Sequence, residues 1–293
     1  MGWFDKLFKK EFSQPMKPAA EDKTTDGQLA QRIFERLRKH TAQPVLKLSL
    51  RRECPGILQS KIGGAYYVPS GEEPPKDKHT GRLLFLLAQL NFAELPRLAD
   101  FPEHGLLQFF IAGDDLYGCD FDHATEQVSW AVRYVEDLPE PEEISPKRMF
   151  EPDRERDDLL PLESESLYKL TGEPGVQAVT SCDYRIDACL REYCADLLPA
   201  GVQSFYDLGD ETCETLQDLL ETYACQVGGY PCFTQWDPRE REKDTRQPDV
   251  LLFQLDTVED IMWGDSGVGN FFITREDLKN RDFSRVLYNW DCC

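Results

Sequence analysis

The chain has 293 residues, enough for two modules or one large duplicated domain. Hydrophobic residues make up 41% of it and aromatic residues 11%, which favours a packed globular protein over a disordered one. Asp and Glu number 54 against 33 Lys and Arg, so the formal net charge of −21 argues against nucleic acid as a partner and is compatible with a basic protein partner or with solubility alone.

The first twelve residues are amphipathic. Their apolar residues and their lysines fall close together on a helical wheel: Trp3, Phe4, Leu7 and Phe8, with Lys6, Lys9 and Lys10. This pattern predicts weak contact with an anionic membrane surface through residues 1–12, or docking of the segment on its own protein. Together with the polar residues that follow, it gives a predicted amphipathic N-terminal segment and linker over 1–24.

A helix and a first β-rich repeat are predicted over 25–135. Asp26 offers an N-cap for a helix over about 27–39, which ends before Pro44. Short strands separated by glycine and proline clusters follow. The acidic and proline-rich segment 136–165 is then predicted to be an exposed connection, because it has little apolar surface to bury.

The remaining residues, 166–293, are predicted to hold surface helices over 182–198 and 210–225 and a second β-rich repeat. Three motif pairs at a nearly constant offset indicate the duplication: Ile62–Gly64 with Val227–Gly229, Ala88–Asn91 with Phe253–Asp256, and Gly105–Ile111 with Gly267–Ile273. They predict an α+β, β-rich fold in which two pseudo-symmetric repeats form one compact body with a few peripheral helices. Shared strand composition is the alternative explanation of these matches.

The central strands of both repeats are continuous apolar runs, Leu83–Leu87 and Val250–Phe253, which predicts burial on both faces. Gln89 and Gln254 follow these runs at equivalent points. Because a buried amide without a partner costs on the order of 1–3 kcal/mol, both side chains are predicted to hydrogen-bond within the fold.

Seven motifs carry a resemblance to a known family: Gly63–Gly64, Phe85–Leu90, Gly105–Ile111, Gly228–Pro231, Leu251–Leu255, Met262–Gly269 and Trp290–Cys293. Over roughly residues 45–293 the chain resembles the YwqG-like family of bacterial proteins. The resemblance implies a bacterial protein with an internally repeated domain of unknown function, and it supplies no catalytic residues. Because some relatives lie near toxin genes, it also implies a toxin-immunity or interaction role.

One loop is a candidate ligand-binding site: Trp263, Asp265, Ser266, Gly267 and Gly269. A loop with polar residues among glycines is typical of a site that binds a small polar ligand through exposed backbone N–H groups. The same loop superficially matches the nucleophile segment of trypsin-like proteases, but none of the four histidines has the context of a catalytic base. A tight polar turn, in which Gly267 and Gly269 allow close backbone approach, is the other interpretation.

No metal site or cofactor is predicted. The ten cysteines contain no Cys-x-x-Cys pair and are expected to be packed free thiols, with a redox role considered for Cys292 and Cys293. The acidic residues around 114–126 fit no EF-hand and are expected at a solvated hairpin turn. Without a signal peptide or an apolar run of spanning length, the sequence predicts a cytoplasmic protein.

Two functions are compatible with these features. One is a non-catalytic binding or toxin-immunity protein whose acidic surface meets a basic partner. The alternative is a small-molecule binder or enzyme with its site between the two repeats, near Trp263–Gly269. Convergent polar groups in a pocket at Asp265 and Ser266 would favour the alternative, and a flat acidic face would favour the first.

Overall fold

The computed structural model describes residues 26–155, 157–163, 165–241 and 247–293. The amphipathic segment, with the membrane contact predicted for residues 1–12, lies outside the described residues. Within the described residues, no helix combines the length and the apolar character that crossing a membrane requires.

The described ranges contain four α-helices and twelve strands. The helices are α1 (Asp26–Thr41), α2 (Ile186–Tyr193), α3 (Asp210–Leu219) and α4 (Arg275–Asn280). The first six strands are β1 (Gln43–Arg52), β2 (Lys61–Ile62), β3 (Tyr66–Tyr67), β4 (Phe85–Asn91), β5 (Leu106–Ile111) and β6 (Trp130–Val135). The others are β7 (Met149–Phe150), β8 (Tyr168–Gln177), β9 (Cys225–Gly228), β10 (Val250–Asp256), β11 (Val268–Ile273) and β12 (Leu287–Asp291).

The helix predicted after Asp26 is confirmed as α1. Its apolar residues Ala30, Ile33 and Leu37 recur at helical spacing, and all three are buried against α2 and α3. These two helices are shorter than the segments predicted for them. α2 begins only at Ile186, because the residues before it form a turn whose charged side chains are engaged in ion pairs.

Ten strands form one large curled antiparallel sheet, in the order β12-β11-β10-β9-β1-β8-β2-β4-β5-β6. The two ten-residue strands, β1 and β8, pair along their whole length at its middle. The sheet curls so far that Phe109 of β5 stacks on Phe253 of β10, with ring centroids 4.9 Å apart. The main core therefore lies between the two halves of the sheet, and the prediction of a β-rich fold is confirmed.

The prediction that the central strands are buried on both faces is also confirmed. Every residue of β4 and β5 is buried, and so is β10 from Val250 to Leu255, although Leu83 lies before β4 and is half-buried. Leu87 and Phe109 face the main core. Leu86 and Phe110 face the other way and pack with Tyr66 of β3, which pairs with β7 in a small second sheet. Covering segments on the outside of the sheet thus explain why these strands lack the alternation of a solvent-exposed sheet.

Gln89 and Gln254 have partners within the fold, as predicted. The Gln89 Nε2 atom donates to the carbonyl of Ile57 at 3.0 Å. The Gln254 Nε2 atom donates to the carbonyl of Tyr223 at 2.6 Å, and its Oε1 atom accepts the N–H of Cys232 at 2.7 Å. Each amide therefore ties a covering segment to the outer face of the sheet.

Replacing Gln254 with leucine is expected to lower the free energy of unfolding by about 1–3 kcal/mol, because the backbone groups of Tyr223 and Cys232 lose their partner in a buried place. Urea denaturation followed by circular dichroism measures the loss. Gln217→Leu, on the exposed face of α3, is the matched control and should change little. Equal midpoints for the two variants would contradict the structural role of Gln254.

The segment predicted to be an exposed connection, 136–165, is mostly exposed or half-buried where it is described. Three of its residues are nevertheless buried, Ile144, Pro161 and Leu162. The Asp158 carboxylate also receives a bidentate pair from Arg82, at 2.8 and 2.9 Å. The segment therefore contacts the rest of the fold through these three buried residues and through the Arg82–Asp158 ion pair.

Candidate ligand-binding site

Two residues of the predicted site loop, Trp263 and Gly269, belong to the core. Trp263 is fully buried, and its ring centroid lies 5.5 Å from that of Tyr117 and 6.3 Å from that of Trp290. A Cβ atom on Gly269 would lie 2.4 Å from the Trp263 ring. Gly269 is therefore required for the indole to pack directly on β11, as close backbone approach predicts.

Of the other three residues of the loop, Asp265 and Ser266 lie at the surface and Gly267 is buried. Asp265 and Ser266 are exposed, and Ser266 has a positive φ of 62°. Gly267 packs so tightly on β12 that an added Cβ would lie 1.9 Å from the carbonyl oxygen of Asp291. The loop thus supports the backbone of Asp291 from behind, and its exposed pair does not line the cavity on the other side of that strand.

That cavity, of about 440 Å³, is called here the β12 cavity. Leu116, Phe121 and Ala124 line one side, Gln235, Trp236 and Pro238 line the other, and Leu287, Asn289, Trp290, Asp291 and Cys292 complete the lining. Its volume is in the range typical of small-molecule sites. It lies on the outer side of the sheet rather than between its two halves.

The rim of the β12 cavity is apolar. Three of its side chains, Leu116, Phe121 and Trp236, are 43%, 52% and 52% exposed, although large apolar residues usually avoid solvent when they cluster. The Phe121 ring centroid lies 6.1 Å from that of Trp290, which continues the aromatic surface inward. An apolar or aromatic ligand body would find a matching surface here.

The Asp291 carboxyl is the buried acid of the β12 cavity, with 9% of its residue surface exposed. Its Oδ2 atom accepts the backbone N–H groups of Thr234 at 3.0 Å and Gln235 at 2.7 Å. Its buried Oδ1 atom accepts no hydrogen bond from the part of the chain that the structure describes. Burial raises the pKa of Asp291 above the usual range for a carboxyl group, although hydrogen bonds from Gln235 and from the backbone and side chain of Thr234 oppose the shift. One oxygen is thus fixed while the other lacks the donor that a buried carboxylate requires.

A buried ion-pair network holds the wall that carries Gln235 and Trp236. Arg239 is fully buried, with its Nη2 atom 2.6 Å from Oδ2 of Asp237 and 2.9 Å from Oδ2 of Asp183. The guanidinium carbon also lies 4.3 Å from the centroid of the Phe272 ring. Because a guanidinium offers several donors in one plane, Arg239 joins two chain segments and the sheet at one point. The network fixes the position of this wall.

Asp291 was not predicted from the sequence as a site residue. Asp291 falls within the motif Trp290–Cys293, but a single acid near the end of a chain has no spacing pattern that indicates a function. The sequence did contain one signal. Strand alternation places Leu287, Asn289 and Asp291 on the same face of β12. This face of the strand therefore changes from apolar to polar along its length. The burial of that face cannot be inferred from the strand alone.

The comparisons with known proteins identify the family but no activity. The search of curated proteins gave no match. The family described as a domain of unknown function (DUF1963) matches residues 60–292, which include every strand from β2 to β12 and all lining residues of the β12 cavity. Since this match covers most of the sequence, the chain belongs to the DUF1963 family.

Proposed function

We propose that this protein is a non-catalytic binding protein that holds a cationic group, carried on an apolar body, in the β12 cavity. The observation that carries the proposal is the Asp291 carboxyl, which is buried beside an aromatic rim and has one unpaired oxygen. An ammonium or guanidinium group would supply the missing donor once a small movement of the lining exposes Oδ1, which is itself buried. The rings of Phe121 and Trp236 attract a cation through their faces. The net charge of −21 draws cations toward the molecule from a distance.

The composition of the lining supports binding rather than proton transfer. Asp291 and Cys292 are its ionisable side chains, and the other lining residues carry apolar, aromatic or amide side chains. Asp291 is also anchored by two backbone donors, which fixes an acceptor in place. General acid–base catalysis instead requires positioned groups that exchange protons with a substrate.

We also propose that the two halves of the sheet are copies of one module, as the motif pairs predict. The two halves of the sheet have the same sequence of strand lengths. Counting inward from either edge, three strands of similar length (β12, β11, β10 or β6, β5, β4) are followed by a shorter strand (β9 or β2) and then by a ten-residue strand (β1 or β8). The pairs β4–β5 and β10–β11 both shift register, after Leu86 and after Leu251. Gln89 and Gln254 follow these shifts at the same distance. These correspondences support the proposed repeat.

If the sheet is a repeat, the residue of β6 that corresponds to Asp291 of β12 is Val135, which has no charge. Leu106 of β5 pairs with Val135 of β6, and Val268 of β11 pairs with Asp291 of β12 at the corresponding place. A buried valine in one copy is therefore a buried acid in the other. Since the acid is costly to bury and the fold accepts an apolar residue at that place, the difference favours a binding role for Asp291.

The positively charged group could belong to either of two ligands. One is a free organic amine, and the other is a lysine or arginine side chain of a basic protein. The second source corresponds to the toxin-immunity role that the YwqG-like resemblance implies. A cytoplasmic location in a bacterium is part of this proposal. It is supported by the ten cysteines, all of them free thiols as in proteins of reducing compartments.

The test uses phenethylammonium as the free amine, phenethyl alcohol as its neutral match and a lysine-rich peptide as the protein source, each titrated into the full chain by calorimetry. We expect the amine or the peptide to bind, and Asp291→Asn to weaken that binding by roughly 10-fold or more, since a charged hydrogen bond is worth about 1.5–3 kcal/mol. Asn keeps an oxygen for the N–H groups of Thr234 and Gln235, so the fold should persist. The exposed Asp265→Asn is the matched control.

The pattern of binding shows which of the two sources supplies the cation, and two outcomes would overturn the proposal. Binding of the peptide without the amine assigns the site to a basic protein, and the reverse assigns it to a small molecule. Equal binding by the wild type and Asp291→Asn would overturn the proposal, as would equal affinity for the amine and the alcohol. Affinity should also fall on acidification, at a higher pH than for an ordinary carboxyl, because burial raises the pKa of Asp291 and its protonated form does not attract a cation.

A further inference from the structure

Two cysteines that are far apart in the sequence meet beside the β12 cavity. The Sγ atoms of Cys182 and Cys232 lie 3.9 Å apart, and both residues are partly exposed. Cys182 also packs against the apolar cluster that contains Leu287, a lining residue of the cavity. We infer that Cys182 and Cys232 form a redox-active dithiol, which a low-molecular-weight disulfide oxidises to an intramolecular disulfide.

Buried polar groups hold the main chain at Cys232. The Cys232 N–H donates to Oε1 of Gln254 at 2.7 Å, and its carbonyl accepts from Nδ2 of Asn270 at 3.0 Å. These two amides come from the central strands β10 and β11. The position of the Cys232 thiol is therefore set by the sheet itself.

The main chain at Cys182 is held from the other side. Asp183, the next residue, is buried and receives ion pairs from both Arg185 and Arg239. A disulfide bond is about 2.05 Å long, so the two sulfur atoms, 3.9 Å apart, must approach by about 2 Å to form it. The facing thiols thus result from two fixed segments.

The electrostatics assign different roles to the two thiols. The hydrogen bond between the two thiols lowers the pKa of Cys182 below the ordinary value for a cysteine. The same bond raises the pKa of Cys232, as do burial and the nearby carboxylates of Asp256 and Asp291. Cys182 is therefore the thiol that more readily becomes the attacking thiolate, and Cys232 is the thiol that resolves the intermediate.

The reaction is a thiol–disulfide exchange in two steps. The Cys182 thiolate attacks one sulfur of the small disulfide, forms a mixed disulfide and expels the other half as a thiolate. Cys232 then gives up its proton and attacks the Cys182 sulfur, which expels the second half. The protein loses two electrons and two protons, and the small disulfide becomes two thiols.

The experiment equilibrates the full chain in mixtures of reduced and oxidised glutathione, followed by acid quenching, alkylation and peptide mapping by mass spectrometry. We expect a Cys182–Cys232 link to form at a lower fraction of oxidised glutathione than mixed disulfides on the exposed Cys54 and Cys293. Cys213→Ala, a half-buried cysteine outside the pair, should keep the link. Separate thiols at Cys182 and Cys232 when Cys54 is already modified would overturn the inference.

A second measurement needs no disulfide to form. The rate of alkylation of Cys182 against pH should have its midpoint below the ordinary value for a cysteine in the wild type. In Cys232→Ala the midpoint should rise toward that ordinary value. An unchanged midpoint would show that Cys232 does not activate Cys182. Both measurements omit any ligand of the β12 cavity, so their failure leaves the proposed binding function intact.

Discussion

Replacing Arg239 with leucine should lower the free energy of unfolding by about 3–5 kcal/mol, because it leaves the Asp237 carboxylate buried without its cation and Asp183 with Arg185 alone. The loss should appear in urea denaturation followed by circular dichroism. It should also loosen the wall of the β12 cavity, since Trp236 lies beside this network. A more exposed Trp236 in the folded protein would show a red-shifted fluorescence emission.

Arg97→Leu is the matched control for this prediction. Arg97 pairs with Glu103 at 3.0 Å, but 75% of its side chain is exposed, so its loss should cost less than about 1 kcal/mol. If Arg239→Leu does not fold, combining it with Asp237→Asn removes the carboxylate that has lost its cation and should restore part of the stability, whereas Asp183 keeps its ion pair with Arg185. A loss no larger than that of Arg97→Leu would show that the network is not a major support of the fold.

Replacing Trp263 with alanine should cost a similar amount, about 3–5 kcal/mol, because the ring is fully buried between Tyr117 and Trp290 and on Gly269. Phenylalanine at the same place should cost less, since it refills much of the space. Denaturant midpoints of the two variants measure the difference.

Trp236→Ala separates the core role of Trp263 from a binding role. Trp236 is 52% exposed at the rim of the β12 cavity, so its replacement should change stability little but weaken binding of the cationic probe. Trp263→Phe should do the opposite, with a measurable loss of stability and normal binding by the folded protein. If Trp263→Phe loses binding at unchanged stability, then the ligand contacts the loop that the sequence analysis selected.

Local patterns were sufficient to predict several parts of the fold. The N-cap at Asp26 and the proline at Pro44 predicted α1, and the apolar run before Gln89 predicted a strand buried on both faces. Close approach at Gly267 was also predicted, because a glycine beside a polar turn allows it. Each of these properties depends on neighbours in the sequence.

Long-range pairing was not accessible in the same way. β8 contains Gly172, Pro174 and Gly175, residues that are typical of a turn, yet it is a ten-residue strand paired with β1. A Cβ on Gly172 would approach the Leu46 side chain at 3.0 Å, so this glycine makes room for a partner distant in the sequence. Asp291 and the pair of cysteines depend in the same way on segments that only the folded chain brings together.

The middle of the sheet has a consequence for how the chain can be divided. β1 comes from the N-terminal part of the chain but lies beside β9, whereas β8 comes after the acidic segment but lies beside β2. Each half of the sheet is thus completed by a strand that the other part of the chain supplies. If the chain were cut within the segment 136–165, each fragment would lack an internal strand and would expose unpaired backbone groups at the gap. We therefore expect the two parts of the chain to fold together and not as separate fragments.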